Sequence, residues 1–205
     1  MRKSPRFKRR ISECIMDGYQ NGEITEYERD CMIPKDPTVG RFYGLAKDHK
    51  SYKKIPEFRP ISSINGTMTE NISKFVDYHS KDLVKSIPSH LDDTPDFLRQ
   101  IEDFKKTTGY IGDDVVPVSI DVTGLYPNIP IDEGLLAFEE ALDTRTKREA
   151  STNFLISLLQ LVLTGNVVEF NKKNFLQIWG TSMGSGCSPS YADIFMAKLE
   201  RGFLE

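Results

Sequence analysis

The sequence predicts an α+β fold, and three features predict it. Several stretches repeat apolar residues at helical spacing, one run is dense in valine and isoleucine, and two short β-prone runs flank a polar turn. The 205 residues are 39% hydrophobic and 28% charged, a composition that supports a folded core and excludes a collagen-like or wholly disordered chain. No tandem repeat interrupts the order. Three intervals organise the chain: residues 1–36, basic and then acidic, residues 37–114, and residues 115–205.

The elements follow in sequence. Residues 12–31 begin a helix with Ile15, Tyr19 and Tyr27 in loose register, weakened by Gly18 and Gly22, and Pro34 and Pro37 stop regular structure. Arg41 to Leu45 reads as a short strand and Lys53 to Ile61 as an extended piece interrupted by two prolines. Asn65-Gly66 marks a turn. Thr69 to Ile87 reads as a helix capped by Thr69, with Ile72, Phe75, Val76, Leu83 and Ile87 on one face. A second helix starts near Thr94, with Pro95 in its first turn and Phe97, Leu98, Ile101 and Phe104 facing inward.

Gly109 to Asp114 is a turn region, and Val115 to Val122 is the strongest strand pattern in the chain. Pro130 and Asp132 open a helix through Leu142, and Thr152 to Leu163 makes a buried one. Residues 166–170 and 175–179 read as a hairpin joined by Asn171-Lys-Lys-Asn. The last helix spans 189–201, with Ala192, Phe195, Met196 and Leu199 inward.

Charge is segmental. The net charge of −3 conceals six basic and no acidic side chains in residues 1–10, and ten carboxylates against two lysines in residues 101–143. Basic strips of this kind can grip phosphates while an acidic pocket collects metal ions, and they can equally be solvated faces. The N-terminal run fits a nucleic-acid arm, a targeting patch or a free end alike. No stretch is long and apolar enough to cross a bilayer, and no secretory signal is expected. Cys14, Cys31 and Cys187 form neither a disulfide framework nor a zinc quartet, so a reducing intracellular compartment is expected.

Three constellations carry chemistry. Asp121 sits at the end of VVPVSIDV, where burial penalises a carboxylate unless a metal ion, a salt bridge or hydrogen bonds to the Thr123-Gly124 turn compensate. Tyr126 stands close to anything bound there, or simply packs with Pro127. The second is GTSMGSGCSP, residues 180–189, whose glycines permit close backbone approach ahead of a helix start; a flexible connection and a ligand site both fit it. The third is Gly44 to Lys50 followed by Arg59-Pro60-Ile61. Its cations can fold over a polyphosphate, although surface lysines are the commoner explanation.

In order, FYGLAKDHK, FRPISSINGTMTENISKFVD, VSIDVTGLYPNIPIDE and FLQIWGTSMGSGCSPSYADIFMAKLE resemble blocks of the reverse transcriptases of Penelope-like retroelements, across residues 42–200. The resemblance implies a right-hand polymerase: fingers in residues 37–114 with connecting helices, and an incomplete palm in residues 115–205. Asp121 then matches a metal-binding catalytic aspartate, and Tyr126 the residue that senses the sugar's 2′ position. Met183 and Gly184 match positions beside the new base pair, and Gly180, Thr181, Ser188 and Pro189 position template and primer. Lys47, Lys50 and Arg59 match basic fingers residues, with Arg59 the best triphosphate ligand. The implied partners are an RNA or DNA template with its primer and deoxynucleoside triphosphates, with no membrane, in an intracellular setting, and nuclear action would fit a retroelement.

The implied cofactor is a pair of Mg²⁺ ions about 3.5–4 Å apart, held by carboxylates from several elements. The aromatic-x-Asp-Asp hairpin that the family places after the second palm block does not occur in these 205 residues. His90-Leu-Asp-Asp93 precedes a helix, and Tyr110-Ile-Gly-Asp-Asp114 has one residue too many and lies at the far end of the expected strand, up to ~26 Å from Asp121. Asp193 is read as outward or structural. The expectation is a polymerase fragment that makes no DNA by itself, with Val118 and Ile120 on an unpaired edge and the Phe195–Leu199 region short of cover. The rival expectations are a non-catalytic nucleic-acid-binding remnant and a protein-interaction fragment.

Overall fold

In the computed structural model, which describes residues 5–47, 55–109, 116 and 118–204, residues 5–10 of the basic N-terminal run are helical. Helix α1 (Pro5–Gln20) exposes Arg6, Lys8, Arg9 and Arg10 and completely buries Ile11 and Ile15. A second helix, α2 (Glu26–Met32), follows, so residues 12–31 are two helices rather than one. Gly22 turns the chain in the left-handed region at φ 74°, and Thr25 and Glu28 then cap α2 reciprocally.

Strands β1 (Gly40–Ala46) and β2 (Phe58–Ser63) pair antiparallel, with Arg41 opposite Ser63 and Leu45 opposite Arg59. The Asn65-Gly66 turn holds as expected, with Gly66 at φ 72° and its N–H donated to Glu70 at 2.6 Å. Helix α3 (Glu70–Lys85) buries Ile72, Ser73, Val76, Ser80 and Val84. Thr69 occupies its N-cap position without a side-chain cap bond, because its hydroxyl is paired with Thr67 instead.

Two expectations fail in the middle of the chain. Helix α4 (Thr94–Thr108) forms, with Asp93 accepting from the Asp96 N–H, yet none of its residues is buried. Phe97, Leu98 and Phe104 are about half exposed, because no described element packs extensively on their face. The described residues of 116–122 are irregular rather than a strand, and Val118 and Ile120 are 78% and 88% exposed. A strand needs a ladder partner, and no described strand runs beside them. β-propensity alone does not supply one.

A one-turn helix α5 (Leu125–Asn128) starts from Gly124, which is left-handed at φ 67°. Helices α6 (Ile131–Asp143) and α7 (Thr152–Thr164) follow, α7 buried on most sides. Strands β3 (Val167–Phe170) and β4 (Lys173–Leu176) form the expected hairpin with a tighter turn than the sequence suggested. Asn171 and Lys172 alone make it, both at positive φ, as a two-residue hairpin turn requires. The sheet runs β2-β1-β3-β4, with β1 parallel to β3.

Helix α8 (Ser188–Leu204) closes the described chain. It buries Ala192 and Phe195, but Leu199 is 40% exposed rather than inward. The core lies between α1, α3, α6, α7 and α8, around Phe138, Leu155, Leu158, Leu159 and Tyr191. The molecule is a mixed α+β protein with a helical core and a small four-stranded mixed sheet among the described residues. No helix among the described residues is long and apolar enough to cross a membrane.

Candidate functional site

The turn preceding α8 is wedged between two other segments. Gly180 is left-handed at φ 66°, and a β-carbon there would stand 2.5 Å from the Tyr126 carbonyl oxygen and from the Pro127 backbone. The next residue, Thr181, donates its N–H to that Tyr126 carbonyl at 2.8 Å. On the other side, Ser182 donates its hydroxyl to the Ser62 carbonyl at 2.8 Å, and Gly184 makes a short parallel bridge with Ser63. The three constellations singled out in the sequence therefore meet in part: the segment after Asp121, the glycine-rich turn and the end of the Arg59 strand.

Supporting bonds fix the turn on the helix bundle. Thr181 and Ser188 share a buried hydroxyl contact of 2.8 Å, Gly186 donates its N–H to Ser73, and Ser190 donates to Asp77 at 2.6 Å. Cys187 is wholly buried, which pushes its thiol up to about 12, so it is packing and not a nucleophile. Pro189 lies exposed on the first turn of α8.

Asp121 is exposed, and makes no hydrogen bond or ion pair among the described residues. It is neither sealed in the core nor locked to a lysine. It stands on an irregular segment, however, and not at the mouth of a strand. Tyr126 packs its ring against the rim of the core, where burial and then the Asp193 carboxylate raise its hydroxyl. Burial likewise raises the Asp193 carboxyl, with His90 opposing, and the residue remains outward on α8.

Lys47 is tied to Glu57 across the hairpin, 3.3 Å between charged atoms. Arg59 is exposed and makes no ion pair or hydrogen bond among the described residues. Cross-strand partners share a face, so Arg59 lies with Leu45, Tyr43 and Ile61 on one side of the sheet. Phe42 and Pro60 are on the other. Lys50 lies outside the described residues, as do Tyr110 to Asp114. Met183 borders a groove on the Phe42 side together with Pro60, Ser62, Pro127 and Trp179.

A pair of divalent ions does not fit the described donor set. No group of three or more His, Cys, Asp or Glu side chains among the described residues is arranged to hold a metal, and Asp121 alone supplies one carboxylate. What the arrangement offers is a backbone-lined turn beside the strand that carries Arg59, a cation without an ion pair among the described residues.

Sequence reasoning missed Ser62, Ser73 and Asp77, which clamp the turn, and it missed the groove. Small hydroxyl residues on a strand and a helix carried no signal of their own. The groove residues were visible only as an alternation of aromatics whose common face depends on register. No family model matches the chain, and no curated protein matches it.

Proposed function

We propose that this chain is the nucleotide- and template-binding part of an RNA-directed DNA polymerase of the Penelope-like kind, with fingers in residues 37–114 and a partial palm in residues 115–205. One observation carries the reading. The glycine-rich turn rests on Tyr126-Pro127 and on Ser62-Ser63, so blocks far apart in the chain converge at one place. Its glycines are needed for that approach: a side chain at Gly180 or Gly184 would collide with backbone. Arg59 supplies a planar, permanently charged fork suited to phosphate oxygens. Asp121 supplies an exposed carboxylate beside the Gly124 turn.

A second reading, binding without chemistry, is favoured by one feature. A single carboxylate at Asp121, with no further acidic cluster among the described residues, cannot neutralise both the attacking and leaving oxygens of nucleotidyl transfer. For this chain by itself the proposal is therefore binding and orientation of template–primer and deoxynucleoside triphosphate. Filter binding of a template–primer duplex at increasing salt tests it. A phosphate grip weakens steeply between about 50 and 200 mM salt. Absence of binding, or binding indifferent to salt, contradicts the proposal.

A further inference from the structure

The sheet face opposite Arg59 has no role so far. Strand register places Phe42 of β1, Phe170 of β3 and Phe175 of β4 side by side on it. Phe42 and Phe170 meet edge to face with ring centroids 5.6 Å apart. Trp179, the single tryptophan of the chain, and Met183 wall this face into a groove of about 550 Å³.

The aromatic residues are incompletely covered. Phe170, Phe175 and Trp179 are 52%, 51% and 59% exposed, leaving apolar area in water that favours a covering ligand. Among the described residues, no charged side chain lines the groove. The cations stand at its end: Lys172 forms the hairpin turn, and Lys173 pairs with Phe170 and so lies on the same face. Flat, uncharged, π-rich groups suit the floor, and anionic groups suit the turn.

From this we infer that the aromatic face binds single-stranded nucleic acid, with unpaired bases stacking on Phe170, Phe175 and Trp179 and the backbone phosphates meeting Lys172 and Lys173. Neighbouring strands that expose aromatics on one face are a general solution for holding unstacked bases. A duplex hides its base faces and cannot use such a floor. An apolar peptide could use the floor but has no need of the lysines. The inference rests on the reading above for its class of ligand; its stacking and phosphate-facing residues are distinct from Arg59 and Asp121, while Met183 borders both sites.

Trp179 is its own reporter. A short oligodeoxythymidylate titrated into the full chain should quench tryptophan fluorescence saturably. An abasic sugar-phosphate strand of equal length and a blunt duplex should bind at least about ten-fold more weakly. Phe175→Ala should weaken the oligonucleotide about ten-fold and Phe175→Leu should do so with less disturbance of the strand, each checked for native circular dichroism. Lys172→Gln with Lys173→Gln should flatten the salt dependence. Equal affinity for the abasic strand, no response to the oligonucleotide, or quenching by an apolar peptide alone would overturn the inference. Deoxynucleoside triphosphate and template–primer binding are measured in parallel on the same protein. Their presence without oligonucleotide quenching sinks this inference and leaves the proposed function standing; the reverse pattern does the opposite.

Discussion

Gly184 and Ser62 touch more closely than any side chain at position 184 would permit: a β-carbon there would lie 2.3 Å from the Ser62 carbonyl oxygen. That oxygen already accepts the Ser182 hydroxyl and cannot retreat without breaking the bond. Gly184→Ala is therefore expected to cost about 2 kcal/mol or more, because backbone and not a flexible side chain must move. Gly186→Ala meets its nearest atom at 3.4 Å, an ordinary contact, and should change stability by no more than about 0.5 kcal/mol. Urea denaturation of the two variants checks the contrast; equal stabilities would show that the turn is not pinned to the strand.

The helical core was the legible part of the fold. Periodic Leu, Ile and Phe marked α3, α6, α7 and α8 to within a few residues, since a buried helix face writes itself into local spacing. Residues 116–122 show the opposite case. Their valines and isoleucines have strand propensity, but a strand also needs a neighbour, and pairing is not written locally. The same holds for Phe97, Leu98 and Phe104, whose helical spacing was read correctly and whose burial was not. At the candidate site, the three segments were legible as motifs. Their mutual contact was not, because hydrogen bonds such as Ser182 to Ser62 span the chain.

His79 should make the protein less stable in mild acid. Its Nε2 is buried without a hydrogen-bond partner among the described residues, its ring packs edge-on against Phe75 and Tyr78, and Arg145 faces it, with Glu149 and Glu28 opposing more weakly. Burial and then Arg145 hold its pKa below the ordinary 6.5, so the unfolded chain binds the proton more readily than the native one. The stabilisation is complete above the ordinary value and is lost as pH falls through it. Urea midpoints should drop between about pH 7.5 and pH 5.5, and His79→Gln should reduce that drop. An undiminished drop in the variant would assign the effect elsewhere.

Thr25 and Glu28 form a reciprocal cap, the Thr25 hydroxyl accepting from the Glu28 N–H at 3.2 Å and the Glu28 carboxylate accepting from the Thr25 N–H at 2.7 Å. Thr25→Ala should destabilise the protein by about 1 kcal/mol, and Thr25→Ser should restore most of it. Thermal melts of the three proteins measure this directly.

Asp121 belongs to no group of three or more metal-ligating side chains among the described residues, so the chain should be unable to extend a primer. Incubation of purified protein with template–primer, deoxynucleoside triphosphates and Mg²⁺ should give no product above the no-enzyme control. Synthesis that disappears in Asp121→Asn would contradict this.

The most direct test concerns Arg59, a cation without a partner among the described residues, on the strand that meets the glycine-rich turn. Equilibrium binding of a deoxynucleoside triphosphate to the chain, with template–primer present, should be measurable and should weaken about ten-fold or more in Arg59→Ala, as loss of a charged hydrogen-bonding partner requires. Undetectable binding, or the same affinity in both proteins, would contradict the assignment of this surface to a nucleotide.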